Sequence, residues 1–295
     1  MKNTLYHCSR FAAAGRSLTG GALNLRAEAR SLVFLLAFLA TLTAGGLAAA
    51  GGLAEVTPDD ALMYVEVNKP AELWAALQQT ELRDAIRTSF YAELYVNFTG
   101  ATADLLAKSL TNMSTTEALS QYGLEFVVAF SPKRAHPKTR EFVVIVRPTE
   151  NTTEFQTLIR ERAEQTFASR FPEVKVSTER VGDRDVKQFA VSKRVSFSLA
   201  LADTDVVFGH ERAVRWFLEA KTFLSDKEGY REMRRRAHVP DTPNVFCYAE
   251  VTKAAGEDAH LYAPGTKVAS VLEVEGKLIK DRTVVSDNLK LPELS

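Results

Sequence analysis

A long uncharged stretch near the start of the chain restricts the possible structure and location of this protein more than any other sequence feature. Residues 32–54 form a run of 23 positions free of Asp, Glu, Lys and Arg. As a helix rising 1.5 Å per residue, the run is about 34 Å long, enough to cross the hydrocarbon core of a bilayer. Residues 1–31 carry five Lys and Arg against one Glu. The positive-inside rule therefore predicts a cytoplasmic basic lead over 1–31 and an exported domain over 55–295.

The uncharged stretch has two interpretations. An uncleaved transmembrane anchor keeps all of 32–54 and holds the protein in the inner membrane, whereas a cleaved signal peptide releases a secreted or periplasmic domain. Cleavage needs a small-x-small site, and both Ala48-Ala49-Ala50 and Gly52-Leu53-Ala54 fit that pattern. The basic lead is long for a signal peptide, but the second half of the stretch is rich in Ala and Gly. Both interpretations place the protein in the cell envelope.

Charge and cysteine content exclude several classes of protein. The exported part carries 32 Lys and Arg against 36 Asp and Glu, a net charge of −4. Nucleic-acid-binding domains normally carry a basic excess, so no nucleic-acid partner is expected. Cys8 precedes the apolar stretch and Cys247 follows it. These two thiols are therefore expected on opposite sides of the membrane, where they cannot form an intramolecular disulfide.

The exported domain is expected to be α+β. Apolar and polar residues alternate over 61–68, as in a half-buried strand, and Pro70 then opens a predicted helix. Further along, the pattern predicts strands at 124–130 and 141–147, a helix at 152–170, a four-stranded meander over 174–209, helices at 211–224 and 227–237, a strand from 244 and a hairpin over 268–286. Because consecutive strands are joined by short turns, we expect a mainly antiparallel sheet with helices packed on one face.

Two strands of this domain resemble each other. The run from Ala61 to Lys69 and the run from Val245 to Lys253 share Tyr, Glu, Val and Lys at one offset, and each follows a Pro-Asp pair. We interpret the similarity as a weak internal repeat. In both copies a small apolar face alternates with a face of Tyr and Glu.

The order of these motifs resembles a known family. An exported segment is followed by a Pro-Asp turn, the strand Tyr64-Val-Glu-Val67 running into Pro70, a meander ending VVFGH before an AVRWFLEA helix, and a second YAEV strand. This order is similar to that of a bacterial envelope family known as domain of unknown function 3352, over roughly residues 56–286. The resemblance implies a cell-envelope location and no activity. Members of that family often continue well beyond the second strand, so this chain is expected to be a short form.

The Tyr/Glu faces of the two similar strands are the first candidate site. Glu66 and Glu250 occupy equivalent places, and a pair of carboxylates across a groove is capable of general acid/base catalysis. Alternatively, both are solvated strand residues or partners of the nearby lysines. A third interpretation is a binding face, because Tyr64 and Tyr248 lie beside these carboxylates.

A cluster of arginines in the predicted helix 227–237 is the second candidate site. Cations near the C-terminal end of a helix interact favourably with its dipole, so a solvated face is one interpretation. The other is a contact with lipid headgroups or an acidic partner. The cluster comprises Arg231, Arg234, Arg235 and Arg236.

Sequence motifs for catalysis or cofactor binding are absent. The chain lacks the G-x-S-x-G, G-x-G-x-x-G, Walker, H-E-x-x-H and C-x-x-C patterns, so neither a cofactor nor a metal is expected. Three functions are compatible with this sequence. They are a non-catalytic envelope protein that binds another protein or an envelope polymer, an exported hydrolase with its carboxylates at Glu66 and Glu250, and a carrier of small molecules. The first is favoured because the chain has an export segment and no catalytic motif.

Overall fold

The computed structural model describes residues 52–68, 70–72, 108, 110–132, 141–192, 195–250, 265–275 and 278–286. Residues 1–51, which include most of the predicted membrane or signal segment, lie outside these ranges. So does most of the helix predicted after Pro70. Among the described residues, no helix is long and apolar enough to span a bilayer.

A ten-stranded antiparallel sheet is the centre of the described domain. Its strands follow the order β10-β9-β8-β1-β2-β3-β7-β6-β5-β4. They are β1 (Met63–Val67), β2 (Leu124–Phe130), β3 (Phe142–Pro148), β4 (Lys175–Val181), β5 (Arg184–Ser192), β6 (Val195–Ala202), β7 (Asp205–His210), β8 (Val245–Glu250), β9 (Lys267–Glu275) and β10 (Leu278–Val285). The predicted α+β class, the meander and the C-terminal hairpin are confirmed.

Four α-helices are described over their full length. They are α1 (Thr115–Tyr122), α2 (Thr152–Arg170), α3 (Glu211–Leu218) and α4 (Glu228–Arg236). The helix predicted over 211–224 ends early at Leu218, and Leu224 instead begins a separate 3-10 turn, Leu224–Asp226.

Helices cover both faces of the sheet, so the prediction of helices on one face is wrong. Phe126 and Val128 of β2 pack in one apolar cluster with residues of α1 and α2. Val127 and Ala129 point to the opposite face and pack with residues of α3 and α4. The reason is visible in the sequence of β2, LEFVVAF, which is apolar at successive positions rather than alternate ones. A strand that is apolar on both sides needs cover on both sides.

The folded domain begins before the predicted boundary at Glu55. Leu53–Glu55 forms a 3-10 turn in which Leu53 and Ala54 are buried. Both residues belong to the apolar cluster under α3 and α4. The end of the uncharged stretch is therefore part of the core of this domain.

Candidate functional site

The two similar strands are neighbours at the centre of the sheet. β1 and β8 pair antiparallel, and Tyr64 lies directly opposite Tyr248. Glu66 lies opposite Phe246, and Glu250 lies at the other end of the pair, where its N–H donates to the carbonyl of Leu62. An approximate two-fold axis between the tyrosines therefore relates one Tyr/Glu pair to the other.

The Tyr/Glu face is buried, which excludes the interpretation of Glu66 and Glu250 as solvated strand residues. Tyr64 and Tyr248 have no exposed surface, and Glu66 and Glu250 are 2% and 7% exposed. On the opposite face, Met63, Val65, Cys247 and Ala249 are only partly buried, while Val67 is fully buried in the second apolar cluster. Aromatic rings and carboxylates thus occupy the inner face of β1 and β8, beneath α4.

Helix α4 and its N-cap residue cover this face with three side chains that lie on one side. Lys227, Tyr230 and Arg234 are separated by three and four residues, the spacing that brings side chains to the same face of a helix. The Tyr230 ring lies edge-on to Tyr64 and to Tyr248, with centroid distances of 5.9 Å and 5.3 Å. The helix therefore packs one aromatic ring over the two-fold axis and a cation on either side.

Each buried carboxylate has its own cation from α4 or its N-cap. The Lys227 ammonium donates to Oε1 of Glu250, and Nη1 of Arg234 lies 3.5 Å from Oε2 of Glu66. Because a buried charge is tolerated only when it is paired, these contacts account for two acidic residues in the core. The structure thus joins the two candidate sites, since Arg234 belongs to one and Glu66 to the other.

The guanidinium of Arg234 makes three further contacts. It donates to the hydroxyl of Tyr230 at 3.2 Å and to the carbonyl of Pro240 at 3.1 Å. Its carbon also lies 5.0 Å from the centroid of the Phe246 ring, a cation–π distance. Arg234 is therefore held in place independently of Glu66.

The other three arginines of the cluster do not reach this face. Arg231 is exposed, and Arg235 is exposed and pairs with Glu232 at 2.7 Å on the same helix. Arg236 donates to the carbonyl of Val285 on β10. Only one of the four predicted cations takes part in the buried site.

A second group of buried charges lies on the same side of the sheet. Arg147 on β3 donates to both carboxylate oxygens of Asp205 on β7, at 2.8 Å and 2.9 Å. Glu125 on β2 lies directly opposite Arg147 and is also buried. Sequence reasoning missed these residues, although a charge inside an apolar run, as in LEFVVAF, is a signal for an inward-facing charged residue.

Burial raises the pKa of two of these carboxyl groups, Glu66 and Glu125. Burial raises the pKa of Glu66, and the positive charge of Arg234 opposes that rise. Burial likewise raises the pKa of Glu125 to about 7, against the opposing effect of Arg147. Each group therefore favours its neutral form more than an exposed carboxyl does.

The register of β1 and β8 separates the two predicted catalytic carboxylates. Glu66 and Glu250 lie four residue positions apart along the antiparallel pair. At about 3.3 Å per residue, their backbones are about 13 Å apart. Glycosidase carboxylates lie about 5–9.5 Å apart, so the arrangement gives the hydrolase hypothesis no support.

Other candidate chemistry is likewise unsupported within the described ranges. They contain no group of three or more His, Cys, Asp and Glu arranged to hold a metal ion. Burial raises the pKa of the Cys247 thiol to about 12, so it is not a reactive thiolate at neutral pH.

Comparison with protein-family models, with curated proteins and with solved structures finds no match for this chain.

Proposed function

We propose that this protein is a non-catalytic binding protein of the bacterial cell envelope, exported through its N-terminal segment. The uncharged stretch and the basic lead support export. The resemblance to an envelope family agrees with that location. The pairing of Glu66 with Arg234 and of Glu250 with Lys227 supports a structural role for these carboxylates.

The proposed binding surface is the outer edge of β4. In the part of the chain that the structure describes, β4 hydrogen-bonds to β5 on one side and to no strand on the other. Most residues of β4 are exposed, and Val176 among them is a large apolar side chain. An open edge offers backbone N–H and C=O groups to an extended peptide, and an exposed apolar side chain adds contact area. The partner we propose is an extended segment of another envelope protein.

A pull-down with matched variants tests the binding proposal. The tagged full-length protein is recovered from solubilised membranes, and partners are identified by mass spectrometry. Val176→Lys places a charge on the edge and should abolish recovery of a stoichiometric partner while leaving stability unchanged. Ala168→Lys places the same charge on an exposed position of α2 and should leave recovery intact. Recovery of the bare chain from the unaltered protein, or equal recovery with both variants, contradicts the proposal.

A reporter fusion tests the compartment separately. A reporter that is active only outside the cytoplasm should be active when it is fused after Ser295. A reporter that is active only in the cytoplasm should be silent there. The opposite pattern would remove the envelope location and the family resemblance together.

A further inference from the structure

Strand β4 is a regular edge strand. Its residues from Lys175 to Val181 pair in unbroken register with β5, and no bulge interrupts the pairing. Its sequence, KVSTERV, contains no proline, and five of its seven residues are exposed. Bulges and prolines are two features by which edge strands avoid pairing with another chain. The outer edge of β4 therefore keeps the backbone geometry that an added strand requires.

Two-fold symmetry restricts how β4 can pair with the β4 of a second copy. Residues directly opposite each other in an antiparallel pair lie on the same face of the sheet, so the two-fold axis stands perpendicular to the sheet. Each register then has its axis at one residue, which lies opposite itself. The other residues pair at equal distances before and after that residue. Among registers that pair β4 residues with one another, only the register centred on Ser177 places opposite charges across from each other.

The register centred on Ser177 makes the charges of this edge complementary. Lys175 of each copy lies opposite Glu179 of the other, so two ion pairs flank the central serines, and Val176 lies opposite Thr178 on the other face of the sheet. An axis at Thr178 would instead place Glu179 opposite Ser177, and an axis at Glu179 would place two carboxylates together. Charges normally keep an edge strand from pairing, but these charges attract one another when the second strand is β4 itself.

The side chains of this register are in place on the single chain. The carboxylate of Glu179 accepts hydrogen bonds from Arg215 on α3 and from Gln188 on β5, which hold it on its face of the sheet. Lys175 is exposed and forms no ion pair with a described residue. The exposed Val176 would gain cover from the second strand. One fixed carboxylate and one available ammonium per copy therefore suit a partner with the same pattern.

We propose that a second copy of this chain pairs with the first through β4, so that the two sheets become one continuous sheet with its two-fold axis at Ser177. The contact is only one strand wide, so the dimer should be weak and reversible. This dimer rests on the open edge of β4 that the proposed function also uses. A second copy occupies the edge when the envelope partner is absent.

Cysteine cross-linking tests the register directly. Opposite Cα atoms of an antiparallel pair are about 4.5–5.5 Å apart, within the range of about 4.4–6.8 Å that a disulfide spans. Ser177→Cys should therefore give a covalent dimer when the purified full-length chain is oxidised in mild detergent. The two thiols of Thr178→Cys would be two positions out of register, with Cα atoms more than about 7 Å apart, and should not cross-link. Both variants also carry Cys8→Ala and Cys247→Ala, which remove the chain's own thiols.

The cross-linking pattern supports or overturns the dimer. Covalent dimer from Ser177→Cys alone supports it. Cross-linking of Thr178→Cys, alone or to an equal extent, overturns the register, and no cross-linking of either variant overturns the dimer.

A charge exchange tests the ion pairs. Lys175→Glu and Glu179→Lys each place like charges opposite one another and should each weaken self-association by about tenfold or more in analytical ultracentrifugation. An equal mixture of the two variants should associate as tightly as the unaltered protein, because the charges of one variant are opposite to those of the other. Lys221→Glu makes the same charge change at an exposed lysine outside β4 and should have no effect. A mixture that associates no more tightly than either variant alone contradicts the proposed pairing.

The dimer and the envelope partner can fail separately. A purified chain that stays monomeric and does not cross-link overturns the dimer, while the pull-down can still recover an envelope partner. A pull-down that recovers only this chain, together with specific cross-linking of Ser177→Cys, overturns the envelope partner and supports the dimer.

Discussion

Arg234 satisfies several buried groups with one guanidinium. Its contacts reach a carboxylate, a phenol, a backbone carbonyl and an aromatic ring. The Oε2 atom of Glu66 has no hydrogen bond from any described residue, so the 3.5 Å ion pair is the contact found there. Removing one partner of such a pair leaves an uncompensated charge in a medium of low polarity.

Arg234→Met is therefore expected to lower the free energy of unfolding by about 3 kcal/mol at neutral pH. Loss of the cation raises the folded-state pKa of Glu66 further, so Glu66 binds a proton on folding. Folding that takes up a proton becomes less favourable as pH rises, and the loss should be larger at pH 8 than at pH 5. Urea unfolding at both pH values measures it.

Arg231→Met is the matched control, since Arg231 is an exposed arginine on the same helix. It should change stability by no more than about 0.5 kcal/mol at either pH. The double variant Glu66→Gln with Arg234→Met should recover part of the loss. A loss for Arg234→Met that is equal at both pH values would show that Glu66 is not the group left uncompensated.

The central tyrosines give a second prediction at the scale of single atoms. The hydroxyl of Tyr248 is buried and has no hydrogen-bond partner among the described residues. The hydroxyl of Tyr122, by contrast, donates to Oε1 of Glu154. A buried hydroxyl without a partner costs stability, so Tyr248→Phe should leave stability unchanged or raise it by up to about 1 kcal/mol.

Tyr122→Phe loses a hydrogen bond and should lower stability by about 1 kcal/mol in the same urea unfolding experiments. A comparable loss from Tyr248→Phe would mean that its hydroxyl has a partner in solution.

The elements of this fold differ in how well the sequence predicts them. Short strands between Gly or Asp turns, such as β4 to β7, follow from local alternation and turn chemistry, which act within a few residues. The end of α3 at Leu218 could not be predicted in this way, because the apolar residue Leu224 does not belong to the helix. Leu224 packs in the core near Leu53, a contact between distant parts of the chain.

The sequence predicted which residues form the candidate site, but not that they are buried or which residues cover them. Alternation in β1 correctly separated Tyr64 and Glu66 from Met63 and Val65. The same alternation predicted that the apolar side is the buried one. The sequence of a single strand does not show that a helix with basic side chains packs on its polar side. The cover by α4 depends on Lys227, Tyr230 and Arg234 meeting β1 and β8 in space.

The 3-10 turn Leu53–Glu55 is an element whose contribution to stability is measurable. Leu53→Ala removes a fully buried side chain and should lower the free energy of unfolding by about 2–5 kcal/mol. Glu55→Ala changes an exposed residue of the same turn and should shift stability by no more than about 0.5 kcal/mol. Urea unfolding of the purified protein compares them. Equal effects would mean that this turn does not pack against the core in solution.

The stability of the whole molecule should depend on pH through two groups, His210 and Glu125, whose pKa values are shifted in opposite directions. Burial lowers the pKa of His210 to about 4, and its Nδ1 accepts a hydrogen bond from the N–H of Phe142. The unfolded chain binds this proton first, so stability is lost as pH falls from about 6.5 towards 4. Burial raises the pKa of Glu125 to about 7, so the folded chain holds that proton longer. This term lowers stability as pH rises from about 4.5 towards 7.

Glu125→Gln removes the second effect because the amide does not ionise. Relative to the unaltered protein, the variant should gain stability between pH 5 and pH 8, as measured by thermal unfolding across that range. Asp183→Asn alters an exposed carboxylate, whose side chain is 91% accessible, and should leave the pH profile unchanged. A Glu125→Gln profile parallel to that of the unaltered protein would show that Glu125 is ionised throughout.

The near-symmetry of the central strands has a consequence for assembly. β8 follows β1 by almost the whole length of the domain, yet it presents β1 with a residue pattern much like that of β1 itself. Until β8 has paired with β1, the β1 of a second copy is a self-complementary substitute for it. A β1–β1 pair between two incompletely folded copies is therefore a competing assembly. The ion pairs of Arg234 with Glu66 and of Lys227 with Glu250 favour the correct closure, because each cation must find its own carboxylate.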